Sequence, residues 1–348
     1  MRLSSRLLAL GAMLLVGPCG RAQTVETRGR AVAVAGPKIA ADVLKKAIDA
    51  YVPVMYLHKD EKYLPTSAEK YLDVTEPFSY VDRDSGKTYV GLRLKGQPNP
   101  EDRLKRGAPT QAKTYVNVKV GEKTTDIQYW FLYAYNGPGT AYIKGLDWDL
   151  RFKAIGDYEL GEMGVHEGDW EHLTVRIDNR TGQALSPEGL FLSEHGSGNW
   201  GDPAKTMVDY KGASRVRIYA SRNGHALYFE SGRSYNVTVK AGPVEFRLLN
   251  DTEKVGIPID YKGKWQLIGV QNDEPLKQAL GFEEPAWVSA YPGRWGRIME
   301  KPHPYADVAV VGRITEKLLK AAGAYDELTF EAGPYPPWSK GIFTTEAE

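Results

Sequence analysis

The stretch Gly164–Ile177, GVHEGDWEHLTVRI, predicts a β-strand that begins with polar residues and continues into an apolar row. If DWEHLTVRI is extended, Asp169 and Glu171 share one face with that apolar row, and His172 lies on the other face. The two carboxylates then face the core, where an unpaired charge is strongly destabilising. They need a positive partner: an arginine, a lysine, a shared proton or a metal ion.

His166 lies three residues before Asp169, where the preceding loop can turn its imidazole towards the acids. The pattern His-x-x-Asp-x-Glu is therefore a candidate metal site. Oxygen-rich ligation with one imidazole suits Ca²⁺ or Mg²⁺, and also Mn²⁺, better than structural zinc. The alternative is a buried ion-pair network without metal, with Arg176 or Arg222 as the counter-charge, although strand alternation puts Arg176 on the opposite face.

Short segments rich in β-branched and aromatic residues recur on both sides of this stretch, separated by Gly, Pro, Asn and Asp. This spacing is typical of antiparallel sandwiches. We predict a mainly β fold, a jelly-roll-like antiparallel β-sandwich with a few peripheral helices. The segments are TYVGLRL (88–94), TYVNVKV (114–120), DIQYWFLYAY (126–135), EHLTVRI (171–177), GLFLSEH (189–195), RVRIYAS (215–221), SYNVTVK (234–240) and KWQLIGV (264–270).

The segments outside these strands have simpler signals. Helical spacing of apolar residues predicts a helix that Pro53 ends, and a late helix over Ile314–Tyr325. Residues 136–164 are Gly-rich and look like a long inserted loop beside the opening stretch. The charged segment KDEKYLPTSAEKYLD (59–73) is interpreted as a solvated surface.

Composition and the N-terminus limit the class of protein. The net charge of +1 over 348 residues gives no reason to expect nucleic-acid binding. A basic start, a short apolar run and small residues predict a cleavable signal peptide over residues 1–22, so we expect a secreted or periplasmic protein. A flexible segment (23–37) and a single β-sandwich domain (38–348) are predicted to follow. Cys19 is the only cysteine, so the mature chain has no disulfide, and nothing in the sequence predicts its oligomeric state.

Several predicted strand ends place polar residues next to glycine. LFLSEHGSGNW carries His195, IYASRNGHALY carries Arg222 and His225 at a turn, and FLYAYNGPG carries Asn136. Because the loops of a sandwich cluster at its two ends, these residues predict one polar pocket near Asp169.

Several blocks resemble the vacuolar protein sorting-associated protein 62 family, a domain of largely unknown function. They occur in the family's order between Tyr51 and about Arg297, which is most of the mature chain. The blocks are VPVMYLHKDEKYLP (52–65), YWFLYAYNGP (129–138), HEGDWEHLTVRI (166–177), LSEHGSGNW (192–200), SRNGHALY (221–228) and PAWVSAYPGRWG (285–296).

The chain is more distantly similar to the necrosis- and ethylene-inducing toxins of plant pathogens. Their Gly-His-Arg-His-Asp-Trp-Glu heptad lies in a β-sandwich and helps to hold a divalent metal ion. His166, Asp169 and Glu171 match it in spacing, Gly168 replaces its second histidine, and Asn136 stands where those toxins have an earlier aspartate. The resemblance implies a divalent metal held by His166, Asp169, Glu171 and Asn136, but it does not transfer the toxins' membrane target.

These observations favour a secreted, metal-dependent binding protein. The distant resemblance to the toxins implies that its action could be toxin-like. Its expected ligand is a polar small molecule, a lipid headgroup or a glycan, with peripheral membrane contact as one mode of action. The expected ligand contacts are His172, His195, Arg222 and His225. The alternatives are a metal-dependent phosphodiester or ester hydrolase, in which these histidines act as acid or base, and a protein whose metal is structural. No known catalytic signature occurs, so enzymatic activity is left open.

Overall fold

The computed structural model describes residues 36–82, 85–147, 153–159, 164–194, 197–241, 244–300, 320 and 330–344. Three predicted segments lie outside the described residues. They are the signal peptide, residues 23–35 of the flexible segment and, apart from Lys320, the late helix. Residues Gly36–Glu348 form one compact unit.

Strands dominate the described chain. In chain order, β1 to β20 are Val54–Leu57, Pro65–Thr66, Thr75–Val81, Thr88–Leu94, Thr114–Val120, Thr124–Asn136, Thr140–Asp147, Lys153–Glu159, His166–Asp178, Leu190–Glu194, Ser197–Gly201, Met207–Tyr210, Ala213–Ala220, Leu227–Tyr228, Gly232–Ala241, Val244–Thr252, Ile257–Asp260, Trp265–Gln271, Ile298–Glu300 and Phe330–Ala332. The helices α1 to α7 are Ala41–Tyr51, Ala68–Val74, Asp102–Lys105, Pro203–Thr206, Glu274–Ala279, Ala286–Ala290 and Gly341–Thr344, with 3-10 turns at Pro109–Gln111 and Pro337–Ser339.

Two sheets face each other across the main core. The large sheet has the order β11-β10-β9-β6-β5-β18, with β2 also paired to β6, and the small sheet has the order β12-β13-β1-β17, with β14 paired to β13. Phe131 and Leu173 from the large sheet share one buried cluster with Met55 and Ile218 from the small sheet. The pairs are antiparallel except β1 with β13 and β5 with β18. The predicted mainly β sandwich with peripheral helices is confirmed.

The outer face of the large sheet carries a second, aromatic core. Trp130 and Trp170 from β6 and β9 are buried with Tyr71 and Trp295, and Trp170 meets Trp295 edge to face at 5.3 Å between ring centroids. Strands β6 and β9 are therefore covered on both faces, which explains the nearly continuous apolar and aromatic run of β6 from Tyr129 to Tyr135. Polar side chains on these strands lie inside the protein rather than at its surface.

The long insertion after Asn136 is not a loop, as the sequence suggested. Its described residues form the hairpin β7–β8, and β7 pairs with β16 in a separate four-stranded sheet of order β15-β16-β7-β8. Single glycines such as Gly145 and Gly156 favoured a loop prediction, but pairing with β16 stabilises the extended chain.

The remaining predictions for secondary structure agree with the structure. Helix α1 buries Leu44, Ala47 and Ile48 and ends before Pro53. Each of the eight predicted segments overlaps a strand: β4, β5, β6, β9, β10, β13, β15 or β18. None of the helices in the described ranges has the length and hydropathy needed to cross a membrane.

Candidate functional site

The paired ends of β6 and β9 position the carboxylates of the opening stretch. Asp169 lies opposite Tyr133, and Glu171 opposite Phe131, on the face that continues into the main core. Both acids are buried. The predicted facing of Asp169 and Glu171 is thus confirmed, and so is the position of His172 on the opposite face, where Trp130 lies.

Gly168 interrupts the regular alternation of β9 and brings His166 near Asp169. Its φ is +65°, and a Cβ built on it would lie 1.9 Å from the carbonyl oxygen of Trp295, so only glycine fits. His166, the first residue of β9, turns back so that its Nδ1 lies 2.6 Å from the carbonyl oxygen of Gly168. Because a carbonyl only accepts, this contact places the proton on Nδ1 and leaves the lone pair on Nε2. Burial lowers the pKa of His166, in spite of the opposing charge of Asp169.

The positive partner of Asp169 is His225. Its Nδ1 lies 2.9 Å from Asp169 Oδ2, and its Nε2 lies 3.0 Å from the carbonyl oxygen of Tyr63. Since both partners only accept, both ring nitrogens must donate, and the ring is an imidazolium. His225 is completely buried and stacks on Tyr133, with 3.7 Å between centroids and 6° between planes.

A second buried carboxylate lies on the far side of the imidazolium. Glu61 Oε1 is 3.8 Å from His225 Nε2, and the same carboxylate accepts the backbone N–H groups of Lys62, Tyr63 and Asn223. The sequence-based interpretation of residues 59–73 as a solvated surface is therefore wrong at Glu61, whose side chain is 1% exposed. Three backbone donors offset the cost of burying this charge.

The pKa values follow from these contacts. Burial alone would lower the pKa of His225, but the hydrogen bond to Asp169 and the nearby Glu61 raise it to about 9. Burial would raise the pKa of Asp169, yet the bond from His225 keeps it below its ordinary value. The pKa of Glu171 rises to about 8, because it is buried and lies near the charge of Asp169.

Ser193 on β10 holds Glu171. Its hydroxyl donates a short hydrogen bond to Glu171 Oε2 and accepts the backbone N–H of His172 at 2.9 Å. His172 itself points to the opposite face of the large sheet, where its ring stacks on Trp130 at 4.2 Å. Burial, with Lys340 nearby, lowers the pKa of His172 to about 3. The structure therefore does not bring His172 together with the other predicted ligand contacts.

The other predicted residues have separate positions. Asn136 ends β6 opposite His166, and its amide nitrogen donates to the carbonyls of Gly137 and Gly164. Arg222 binds Glu159 of the insertion hairpin at 2.6 Å and is not the counter-charge of the buried acids. His195 lies outside the described residues.

The second proposed counter-charge also has another partner. Arg176 forms a two-point pair with Asp126, at 2.8 and 3.0 Å, on the outer face of the large sheet. The sequence thus predicted correctly that Asp169 needs a cation and that Arg176 faces away from it. It did not identify His225 as that cation.

We define the strand-end site as Glu61, His166, Asp169, Glu171 and His225. Its donor types suit a hard divalent cation: one imidazole with a defined tautomer and several carboxylate oxygens. Glu171, with a pKa of about 8, is mostly protonated at neutral pH, and the positive charges of His225 and Lys340 both act on Asp169, so the ionised groups of the site are already close to balanced. No three His, Cys, Asp or Glu side chains in the described ranges converge closely enough to hold a metal ion.

Three residues of this neighbourhood were not predicted from the sequence. Glu61 comes from the loop after β1, Tyr133 supplies the stacked ring, and Ser193 holds Glu171. A weak signal existed for Tyr133, since its pairing with Asp169 follows once β6 and β9 are read as neighbours. Glu61 had no signal, because its role depends on the turn near Asn223, which is 162 residues away in sequence.

The sequence of this β-sandwich protein also matches a known protein family. The model of vacuolar protein sorting-associated protein 62 matches residues 81–322. The chain belongs to this family, and the resemblance predicted from the sequence blocks is confirmed. No curated protein matches the sequence.

Three solved structures are similar to the chain at 16% identity. The non-toxic HaNLP3 protein has a TM-score of 0.30, with 70% of this chain and 82% of that chain covered. NLPPya in complex with mannosamine has a TM-score of 0.28, with 72% and 83% covered, and NLPPya in complex with glucosamine also has 0.28, with 74% and 88% covered. These are necrosis-inducing proteins, the class to which the distant sequence similarity pointed.

Proposed function

We propose that the strand-end site binds a divalent cation, Ca²⁺ or Mg²⁺, and through it a polar ligand such as a lipid headgroup or a glycan. The three main cation ligands are His166, Asp169 and Glu171, and Asn136 is the fourth residue of the proposed set. We further propose that the predicted signal peptide directs the protein to the periplasm or the medium, where it acts as a binding protein.

One observation carries this proposal. In each of the three main ligands, a neighbour holds one polar atom and leaves the other for a cation. The fixed atoms are His166 Nδ1 on Gly168, Asp169 Oδ2 on His225 and Glu171 Oε2 on Ser193. Hydrogen bonds of this kind orient the ligands in metalloproteins and set the tautomer of a ligating histidine.

The ligand side chains must move to complete such a site. In the described ranges the three side chains do not yet converge, so a bound cation has to draw them together. Water or the polar ligand would fill the remaining coordination positions. The bound cation would offer a positive point for an anionic or hydroxyl-bearing group, and the chain's own residues would hold and orient that cation.

The test uses two histidines of the same strand. His166→Gln removes a proposed ligand, whereas the matched control His172→Gln makes the same change on the opposite face of the large sheet. We expect Ca²⁺ or Mg²⁺ to promote co-sedimentation of wild type and His172→Gln with vesicles of phosphatidylcholine and sphingomyelin, but not of His166→Gln. A parallel incubation with bis-p-nitrophenyl phosphate should give no product.

The opposite results are equally clear. Vesicle binding that is unchanged by chelator, or that persists in His166→Gln, contradicts a cation-mediated site. Cation-dependent release of nitrophenol that is lost in His166→Gln would replace the binding function with hydrolysis.

A further inference from the structure

A group of tyrosine and basic residues lies on the face of the small sheet that points away from the main core. Met55 and Ile218 point from β1 and β13 into that core, so strand alternation places the residues beside them on the opposite, outer face. The end of β12 and its turn adjoin this face of β13. The residues are Tyr56, Tyr210, Lys211, Arg217 and Tyr219, and together they define the tyrosine patch.

The strand register brings the rings and the basic groups of the patch together. Tyr56 lies opposite Tyr219, with 5.8 Å between their ring centroids. The Arg217 guanidinium, two residues earlier on the same face of β13, lies over the Tyr219 ring at 5.4 Å from its centroid. Lys211 begins the β12–β13 turn with a φ of +53°, and its Nζ lies over the Tyr210 ring at 5.0 Å. An aromatic ring therefore positions each of the two cations.

Neither cation of the tyrosine patch has a carboxylate partner. Lys211 and Arg217 form no ion pair with any residue that the structure describes, whereas Arg215 on the same face is paired with Asp260 at 2.8 Å. Lys211 is exposed and Arg217 is half-buried, so both meet solvent. The whole chain has a net charge of only +1, so this excess of positive charge is local to the patch.

The surroundings of Tyr56 show that the five side chains lie close together. Burial raises the pKa of Tyr56, the nearby Tyr210 and Tyr219 add to this rise, and the charges of Arg217 and Lys211 oppose it. Tyr56 and Tyr210 are half-buried, and their hydroxyl groups have no hydrogen-bond partner in the described ranges. The patch therefore presents two cations and two phenol donors to its partner.

The charge and the shape of the patch both limit what can bind there. Ammonium, guanidinium and phenol groups are donors that suit phosphate oxygens, so the partner should be anionic. The donors lie on the open face of a sheet, which suits a surface that carries many phosphates better than a single small ion. Tyrosine, lysine and arginine are also the residues that lie at the headgroup level of bilayers, where the rings meet the interface and the cations reach the phosphates.

We propose that the tyrosine patch docks the protein onto membranes that contain anionic phospholipids. Lys211 and Arg217 contact the lipid phosphates, Tyr56 and Tyr210 lie between the headgroups, and the buried Tyr219 supports the Arg217 guanidinium. This contact requires no divalent cation. It is therefore independent of the ligand binding proposed for the strand-end site, where a bound cation is the point of contact.

The experiment measures co-sedimentation of the full chain, in chelator, with vesicles of phosphatidylcholine alone or of equal parts phosphatidylcholine and phosphatidylserine. Wild type should bind only the vesicles with phosphatidylserine. Each basic residue near an anionic bilayer contributes a factor of about five, so Lys211→Met and Arg217→Met should each weaken binding about fivefold and the double variant about 25-fold.

Two control variants remove the same charges elsewhere. They are Lys46→Met and Arg103→Met, whose cationic groups pair with Asp42 and Glu101. Both controls should bind like wild type, and equal melting temperatures would show that all the variants fold. His166→Gln should also bind like wild type, because chelator is present throughout.

Four results would overturn the proposal. The first is no binding to phosphatidylserine vesicles, and the second is an equal loss in patch and control variants, which would indicate net charge alone. The third is binding that His166→Gln abolishes, which would place the contact at the strand-end site. The fourth is calorimetric binding of inorganic phosphate that Arg217→Met abolishes, without vesicle binding, which would make the patch a site for a soluble anion. Failure of the cation-dependent binding proposed for the strand-end site would leave the expected result unchanged.

Discussion

Replacement of His225 by asparagine tests whether the imidazolium neutralises Asp169. His225 has a φ of +57°, a conformation that asparagine tolerates, so His225→Asn removes the charge without adding backbone strain. The variant leaves the buried Asp169 carboxylate without its partner at 2.9 Å. Breaking a buried ion pair on one side costs about 3–5 kcal/mol. For a chain of this size, that corresponds to a fall of about 5–8 °C in melting temperature.

The coupling between the two residues separates charge from packing. Asp169→Asn alone leaves the His225 imidazolium with only the more distant Glu61 carboxylate, at 3.8 Å, whereas the double variant removes both charges of the closer pair. We therefore expect the double variant to lose less stability than the two single variants lose together. In a double-mutant cycle of unfolding free energies measured by chemical denaturation, the difference should be at least about 1.5 kcal/mol.

His58 provides the matched control for this cycle. It is also buried, and its Nδ1 accepts the backbone N–H of Asp60 at 3.1 Å, but the carboxylates of Asp60 and Asp251 are both 3.8 Å away and partly exposed. His58→Asn should cost about 1 kcal/mol. A cost for His225→Asn no larger than that of His58→Asn, or a coupling energy near zero, would refute the assignment of His225 as the counter-charge.

Two other variants test separate parts of the structure. Gly168→Ala should unfold the chain or cost more than about 4 kcal/mol, because its Cβ would lie 1.9 Å from the Trp295 carbonyl oxygen. The control Gly86→Ala has nearly the same φ, +66°, but open space, and should cost only about 1–2 kcal/mol; equal losses in chemical denaturation would disprove the steric argument. The Tyr335 hydroxyl and Ser85 lower the pKa of Asp82 to about 2, below its ordinary value of about 3.9. Because the pKa is lower in the folded protein, Asp82 adds stability above pH 3.9, and this stability is lost as the pH falls through 2. Tyr335→Phe should therefore weaken the fall in melting temperature between pH 4 and pH 2. An unchanged fall would contradict the role of Tyr335 in lowering the pKa of Asp82.

The sequence was a good guide to the sandwich because its strands are short and separated by turn residues. It was a poor guide to the insertion, because β7 and β8 contain glycines and gain their stability from β16, about 100 residues later. Alternation predicted where Asp169 and Glu171 point, since a buried strand has a period of two. It could not predict that Gly168 breaks this period and turns His166 back.

The partner of Asp169 shows the same limit. The cost of burying a carboxylate predicts that a cation is present, but not which one. His225 is 56 residues from Asp169 in the chain and meets it only because β13 ends in a tight turn beside β6. Local patterns carry no information about such a contact, so Glu61 and Ser193 were missed for the same reason.

The cation site can be tested by calorimetric titration of Ca²⁺ and Mg²⁺ into chelator-treated protein. We expect saturable binding of one cation per chain to wild type and to His172→Gln, with binding lost in His166→Gln. Absence of binding to wild type, or equal binding to His166→Gln and His172→Gln, would contradict a cation site at His166, Asp169 and Glu171.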